Sequence, residues 1–216
     1  MTTKGVHSVT EGGMWRQSFY APPADTQGPR PALFVDRDGT LIELVPYLCE
    51  SEKMKLIAPA VMAVRQANAV GIPVVVVTNQ SGIERGYYDW KDFAAVQQAM
   101  VAELERAGAK IDAVYACASH PARNAPCRKP NPGMLLAAAE DNALDLSTSW
   151  ILGDAATDLQ AGKAAGLPKG WLAPGGYGTR DRERAHALAC DTFSVCTDNT
   201  FNALAKALNE RSTLAP

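Results

Sequence analysis

The chain lacks any apolar run approaching the ~20 residues needed to cross a bilayer. Its opening residues, Met1-Thr2-Thr3-Lys4-Gly5-Val6-His7, lack the apolar core of a secretion signal. A basic excess is also missing: 21 Lys and Arg stand against 23 Asp and Glu, a net charge of −2. That balance argues against a phosphate-backbone stripe and hence against a dedicated nucleic-acid binder. The cysteines number five, an odd and scattered set, which speaks against a disulfide framework and suits a reducing cytoplasm. No internal repeat or low-complexity tract divides the chain. These absences leave an ordinary globular protein of 216 residues, 47% hydrophobic and 20% charged, able to bury roughly 70% of its unfolded surface. The expectation is a cytoplasmic monomer or small homo-oligomer, with no membrane and no nucleic-acid partner. A main domain is expected over residues 31–210, after an N-terminal extension over residues 1–30.

Asp36-Arg37-Asp38-Gly39-Thr40 stands directly after the apolar run Ala32-Leu33-Phe34-Val35. Alternate side chains of a strand share a face. At the strand's exit the backbone can turn and bring both carboxylates and a carbonyl oxygen together, and Gly39 allows that turn without steric cost. One carboxylate can then attack phosphorus while the other handles the proton of the leaving group. The Thr40 hydroxyl is placed to hold Asp38. By themselves these residues also suit a plain turn after a buried strand, or a calcium loop.

Three later segments bear on that choice. Pro73-Val74-Val75-Val76-Val77 is apolar throughout, as a strand buried on both faces of a parallel sheet should be, and it ends in Thr78-Asn79-Gln80-Ser81-Gly82. In Arg128-Lys129-Pro130-Asn131-Pro132-Gly133-Met134, Asn131 reads as an N-cap and Pro132 as the first helical residue. Lys129 then sits just before a helix start, where a phosphate meets free backbone N–H groups. Trp150-Ile151-Leu152 runs into Gly153-Asp154-Ala155-Ala156-Thr157-Asp158, an acidic turn opening a helical pattern. Asp36, Thr78 and Asp154 all follow the carboxyl end of an expected strand, where open α/β sheets bind ligands.

This ordered set resembles the haloacid dehalogenase superfamily of aspartate-nucleophile phosphohydrolases. The likeness spans roughly residues 31–176 and includes all four motifs of the family. It points to the branch containing D-glycero-D-manno-heptose 1,7-bisphosphate phosphatase and histidinol-phosphate phosphatase. The resemblance implies an α/β fold with a doubly wound, Rossmann-like parallel sheet. The gaps from Asp36 to Thr78 and from Thr78 to Lys129 are too short for a cap domain, so the fold is expected without one. It implies Asp36 as nucleophile and Asp38 as general acid and then base, with Thr78 and Lys129 holding the phosphoryl oxygens. Mg²⁺ would be bound by the Asp36 carboxylate, the Asp38 carbonyl and Asp154. Asn79 lies in the substrate turn, and Arg85 and Arg128 are candidates for gripping a second anionic group. Asp158 is either a neighbour of the metal shell or a helix cap.

The sequence departs from that branch in two places. Relatives commonly hold a structural zinc with Cys-x-His and Cys-x-Cys pairs, but only Cys117 and Cys127 occupy those positions here. Ser119 and Ala125 replace the others, and His120 alone cannot complete a four-ligand site, so structural zinc is not expected. Ala155 stands where a substrate-binding lysine commonly follows the metal aspartate, which counts against the heptose sugar. The reading is a Mg²⁺-dependent phosphatase of a small phosphorylated metabolite, a sugar phosphate or bisphosphate. Histidinol-phosphate hydrolysis, polynucleotide 3′-phosphatase activity and non-catalytic binding of a phosphometabolite stay open beside it. Elsewhere the chain reads as scaffold: helices on Val61, Val64 and Ala67 and on Phe93, Val96, Met100 and Leu104, with Gly71 and Gly108 as stops. Strands are expected over residues 113–117 and 170–172, and a closing helix over 202–208. Trp15, Phe19 and Tyr20 suggest a strap over the core or a lid near the site. Gly175-Gly176-Tyr177-Gly178 reads as a flexible loop that could border it.

Overall fold

The computed structural model describes residues 7–19 and 28–212. In its described residues the N-terminal segment forms an antiparallel hairpin of β1 (His7–Val9) and β2 (Met14–Ser18) rather than a strap or a lid. Its second strand pairs with the sheet edge, and Trp15 is buried against Trp90 and Phe93. Phe19 packs on the same core, while Tyr20 lies outside the described residues. β3 (Leu33–Val35) follows, then α1 (Ala58–Ala69), β4 (Val74–Asn79), α2 (Trp90–Arg106) and β5 (Ala113–Cys117). The second half runs α3 (Gly133–Asn142), β6 (Trp150–Gly153), α4 (Ala156–Ala164) and β7 (Lys169–Leu172). It closes with α5 (Gly178–His186), β8 (Ser194–Cys196) and α6 (Thr200–Ser212).

Spatial order in the eight-stranded sheet is β1-β2-β5-β4-β3-β6-β7-β8, parallel from β5 to β8. The valine-rich runs form its middle because a parallel strand covered on both faces has no water-facing side. Alternation divides the core in two. Leu33, Val35, Val74, Val76 and Leu152 face α1, α2 and α6, whereas Phe34, Val75, Val77 and Ile151 face α3, α4 and α5. The chain crosses from β3 to β4 on one side, and later places β6 on the other side of β3. The sheet therefore splits its connections at the carboxyl end of β3, the topological switch point at which such folds bind ligands. Apart from loops and one 3₁₀ turn at Ser51–Lys53, the β3–β4 and β4–β5 connections carry α1 and α2 alone, so neither holds a cap domain. Among the described residues no helix is long and apolar enough to cross a membrane.

Three local expectations are corrected. Helix α3 begins at Gly133 with Pro132 as its N-cap. Asn131 instead donates its amide to the Ala125 carbonyl at 2.9 Å and to Asn124 Oδ1 at 3.0 Å, closing the loop rather than capping the helix. Gly175–Gly178 is not a free loop but the lead-in to α5, fixed by the Gly178 N–H on the Gly175 carbonyl at 2.8 Å. Cys117 and Cys127 are not separate thiols: the 119–131 loop returns to the end of β5 and pairs them as a disulfide with Cα atoms 5.8 Å apart.

Candidate active site

The β3 ladder ends with the Asp36 N–H donating to the Leu152 carbonyl at 2.9 Å, which fixes the first carboxylate at the switch point. The chain then winds round the Arg37 carbonyl, which accepts from Leu41 and Ile42 at 3.0 Å each. Gly39 makes that turn possible at φ +87°, and a Cβ there would collide with the Asp154 carboxylate. The strand-end positions expected from the sequence thus converge through backbone geometry.

Lys129 is the central cation. It is 3% exposed, and its ammonium donates to Asp36 Oδ1 at 2.5 Å and to the Val77 carbonyl at 2.7 Å, with Asp158 Oδ1 at 2.6 Å. Burial alone would lower its pKa, but the Asp158 and Asp36 charges outweigh that and raise it. Asp154 accepts the Tyr177 N–H at 2.8 Å. Asp158 is a helix cap and a cluster member at once, because its Oδ2 accepts the Ala155 N–H at 2.9 Å while its Oδ1 meets Lys129.

Asp36, Asp154 and Asp158 each offer one oxygen within 4.8 Å of the others, a grouping close enough to share one ion. Three buried carboxylates facing one lysine leave surplus negative charge. Burial drives the Asp36 carboxyl well above its usual range against the pull of Lys129, and burial with the Asp158 charge pushes Asp154 up to about 7. A hard divalent cation with oxygen ligands would remove that stress, so the donor set fits Mg²⁺. At the old zinc positions no such grouping forms among the described residues: Cys117 is paired with Cys127, and His120 Nδ1 accepts from the Ala122 N–H at 3.2 Å.

Asp38 is held differently from expectation. The Thr40 hydroxyl is buried without a partner. The Asp38 carboxylate instead accepts from Arg37 Nε and Nη2 at 3.1 Å each, from Gln80 Nε2 at 2.8 Å and from Thr78 Oγ1 at 3.2 Å. Gln80 Oε1 in turn accepts from Arg37 at 3.0 Å and from the Tyr88 hydroxyl at 2.5 Å. Arg37, 1% exposed, lies over the Phe93 ring. Sequence reasoning passed over this network, although Gln80 and Arg37 both sit inside the motifs.

An open cavity of about 510 Å³ covers these groups, lined by Asp36, Asp38, Thr78, Asn79, Arg128, Lys129 and Asp154 among others. Asn79 lines it, but its side chain is engaged with the Lys129 backbone, donating to the carbonyl at 3.0 Å and accepting the N–H at 3.1 Å. Arg128 is half-buried and donates to the Ser119 carbonyl at 2.9 Å. Arg85 is exposed and stays outside the lining. The far wall comes from Tyr177, Arg180, Asp181 and Arg184 of the α5 region, where no helix was expected.

This geometry gathers carboxylates, a buried lysine and a hydroxyl at one cavity, a set suited to phosphoryl chemistry. A HAD-hydrolase-like family model matches residues 126–198. The D-glycero-beta-D-manno-heptose-1,7-bisphosphate 7-phosphatase of Mesorhizobium japonicum is 45% identical over 179 residues, covering 78% of this chain and 80% of that protein. Among solved structures, a HAD-like protein from Mesorhizobium loti superposes with a TM-score of 0.82 at 38% identity, covering 98% of this chain and 99% of that one. The D,D-heptose 1,7-bisphosphate phosphatase from B. bronchiseptica, complexed with magnesium and phosphate, superposes with a TM-score of 0.74 at 27% identity, covering 84% and 99%. The chain belongs to the haloacid dehalogenase-like phosphatases, in the branch of the heptose bisphosphate phosphatases. It is a phosphatase.

Proposed function

We propose that this phosphatase removes one phosphoryl group from a small sugar bisphosphate of the D-glycero-D-manno-heptose 1,7-bisphosphate kind, through an aspartyl phosphate on Asp36. The observation that carries the reading is the burial of Asp36 against Lys129 at the floor of an open cavity. Asp36 attacks phosphorus as the ester P–O bond breaks, and Asp38 gives its proton to the departing alkoxide. Water then attacks the acyl phosphate, Asp38 accepts the water's proton, and phosphate and the Asp36 carboxylate are released. Lys129 and Thr78 hold the phosphoryl oxygens, the lysine exchanging one of its present contacts for phosphate. Arg37, Gln80 and Tyr88 fix the Asp38 carboxylate at the cavity edge. Mg²⁺ held by Asp36, the Asp38 carbonyl and Asp154 would offset the repulsion between the phosphate dianion and the attacking carboxylate.

Sugar bisphosphate as substrate is supported by the names of the relatives and by a cavity within the range used for small molecules, ~300–1,000 Å³. The test is turnover, with Mg²⁺, of heptose 1,7-bisphosphate, histidinol phosphate and a 3′-phosphorylated oligonucleotide. The highest kcat/KM is expected on the sugar bisphosphate. A higher value on either other substrate would overturn the assignment.

A further inference from the structure

Helix α5 and its N-cap Tyr177 carry four cavity-lining residues on one stripe. Tyr177, Arg180, Asp181 and Arg184 follow i, i+3, i+4, i+7 spacing, so they share a face, and all four line the cavity above the acid cluster. The stripe is rigidly tied to the reaction centre at two points. The Tyr177 N–H donates to Asp154 Oδ2 at 2.8 Å, and buried Asp181 Oδ2 accepts the Ala156 N–H at 2.9 Å at the start of α4. Asp181 Oδ1 is then shared by both arginines, Arg184 Nη1 at 3.2 Å and Arg180 Nε at 3.5 Å, while the Arg180 guanidinium lies 4.3 Å over the Tyr177 ring.

Two guanidiniums on one carboxylate oxygen leave a net positive charge at the cavity wall and more N–H donors than that one oxygen engages. Their side chains are 68% and 60% exposed, so reaching an anion needs no burial of charge. The Tyr177 ring and the Asp181 carboxylate also hold them in place beforehand, which lowers the ordering cost of binding. Arg128 on the opposite wall is less free, half-buried and already bonded to the Ser119 carbonyl. Ala155, also in the cavity lining, contributes only a methyl group.

We infer that Arg180 and Arg184 bind the second, non-transferred phosphate of the substrate and so set the preference for bisphosphates. A guanidinium pair on a fixed helix face suits a phosphate dianion, which accepts paired hydrogen bonds. The inference rests on the sugar-bisphosphate reading of the site.

The experiment compares kcat/KM for heptose 1,7-bisphosphate with that for p-nitrophenyl phosphate, which has no distal anion. The wild type, Arg180→Gln/Arg184→Gln, Arg180→Lys/Arg184→Lys and the off-stripe control Arg182→Gln are measured side by side. The glutamine pair is expected to lower the bisphosphate-to-aryl ratio roughly ten- to a hundredfold, mainly through KM on the bisphosphate. The lysine pair should recover part of the ratio, and Arg182→Gln should keep it. A wild-type preference that survives in the glutamine pair overturns the role of the two arginines and leaves the substrate reading standing. A wild type with no preference for the bisphosphate overturns both.

Discussion

Replacing Lys129 by methionine is a severe test of the buried charge cluster, because the stem is retained and only the ammonium is lost. All three protons of that ammonium have partners: Asp36, Asp158 and the Val77 carbonyl. Asp36 is 6% exposed and Asp158 2%, so water can replace little of the lost ammonium at either carboxylate. Breaking a buried ion pair from one side costs about 3–5 kcal/mol. For a chain of this length each kcal/mol shifts Tm by about 2–4 °C, which gives an expected drop of about 6–20 °C. The sign of the pH dependence follows from the titrations. Lys129 has a raised pKa in the folded protein. Its contribution is therefore fully present below the unfolded lysine value of about 10.4, including at pH 8. The variant can escape part of the penalty by protonating Asp36, whose pKa already lies well above its usual range and would lose the opposing pull of Lys129. The gap between wild type and variant should consequently be larger at pH 8 than at pH 5. Thermal unfolding followed by fluorescence in chelator, at both pH values, measures this. A drop smaller than about 3 °C at pH 8, or the same drop at both pH values, would refute the reasoning.

The same cluster predicts how metal and protons compete. Asp36 and Asp154 have raised carboxyl pKa values, so in metal-free protein their contribution is fully present below the unfolded value of about 4. It is lost as pH rises through the folded value, about 7 for Asp154. Mg²⁺ should therefore raise Tm more at pH 8 than at pH 6, and an increment independent of pH would contradict the assignment of the ion to these carboxylates. Arg128→Ala, at a cavity-lining side chain already bonded to the Ser119 carbonyl, should raise KM for a sugar bisphosphate by less than the loss of Arg180 and Arg184, and Arg85→Ala, outside the cavity, by less still. Steady-state kinetics showing the reverse order would move the anion site toward Arg85. Elemental analysis of the purified protein should find no stoichiometric zinc; one zinc per chain, lost in Cys117→Ala, would mean that a metal holds the 119–131 loop.

The strand-end positions of the candidate site were legible because they are written locally. A buried parallel strand reads as an uninterrupted apolar run, and the first polar residue after it marks the site, so Asp36, Thr78 and Asp154 could be placed directly. Lys129 and Arg128 were legible from their motif, but their partners depend on a loop returning to β5. What escaped reading is polar. Helix α5 is Gly-Thr-Arg-Asp-Arg-Glu-Arg-Ala-His, with no apolar stripe to signal it, and Gly178, Asp181 and Ala185 are its buried residues. Helix α5 is anchored by its own Asp181, whose carboxylate accepts the Ala156 N–H at the start of α4, and by Ala185 alone in the apolar core. Strand β2 was missed because Arg16, Gln17 and Ser18 hide its pairing with β5, and Arg16 reaches across to Asp141 at 3.3 Å. The link from Arg37 through Gln80 to Tyr88 joins three separate turns, and only the closed fold brings them together. Thr40 was assigned to Asp38 by proximity in sequence, whereas the turn leaves its hydroxyl buried and unpartnered.

The central claim is that a covalent bond forms between Asp36 and phosphorus during turnover. The most direct measurement is reductive trapping: the enzyme is quenched with borohydride while turning over substrate with Mg²⁺, and its peptides are mapped by mass spectrometry. Borohydride reduces an acyl phosphate to the alcohol and leaves free carboxylates untouched. The expected result is conversion of Asp36 to homoserine, dependent on both substrate and Mg²⁺, and absent in Asp36→Asn, which should also lose turnover. Reduction at a different residue, or sustained turnover by Asp36→Asn, would contradict the account.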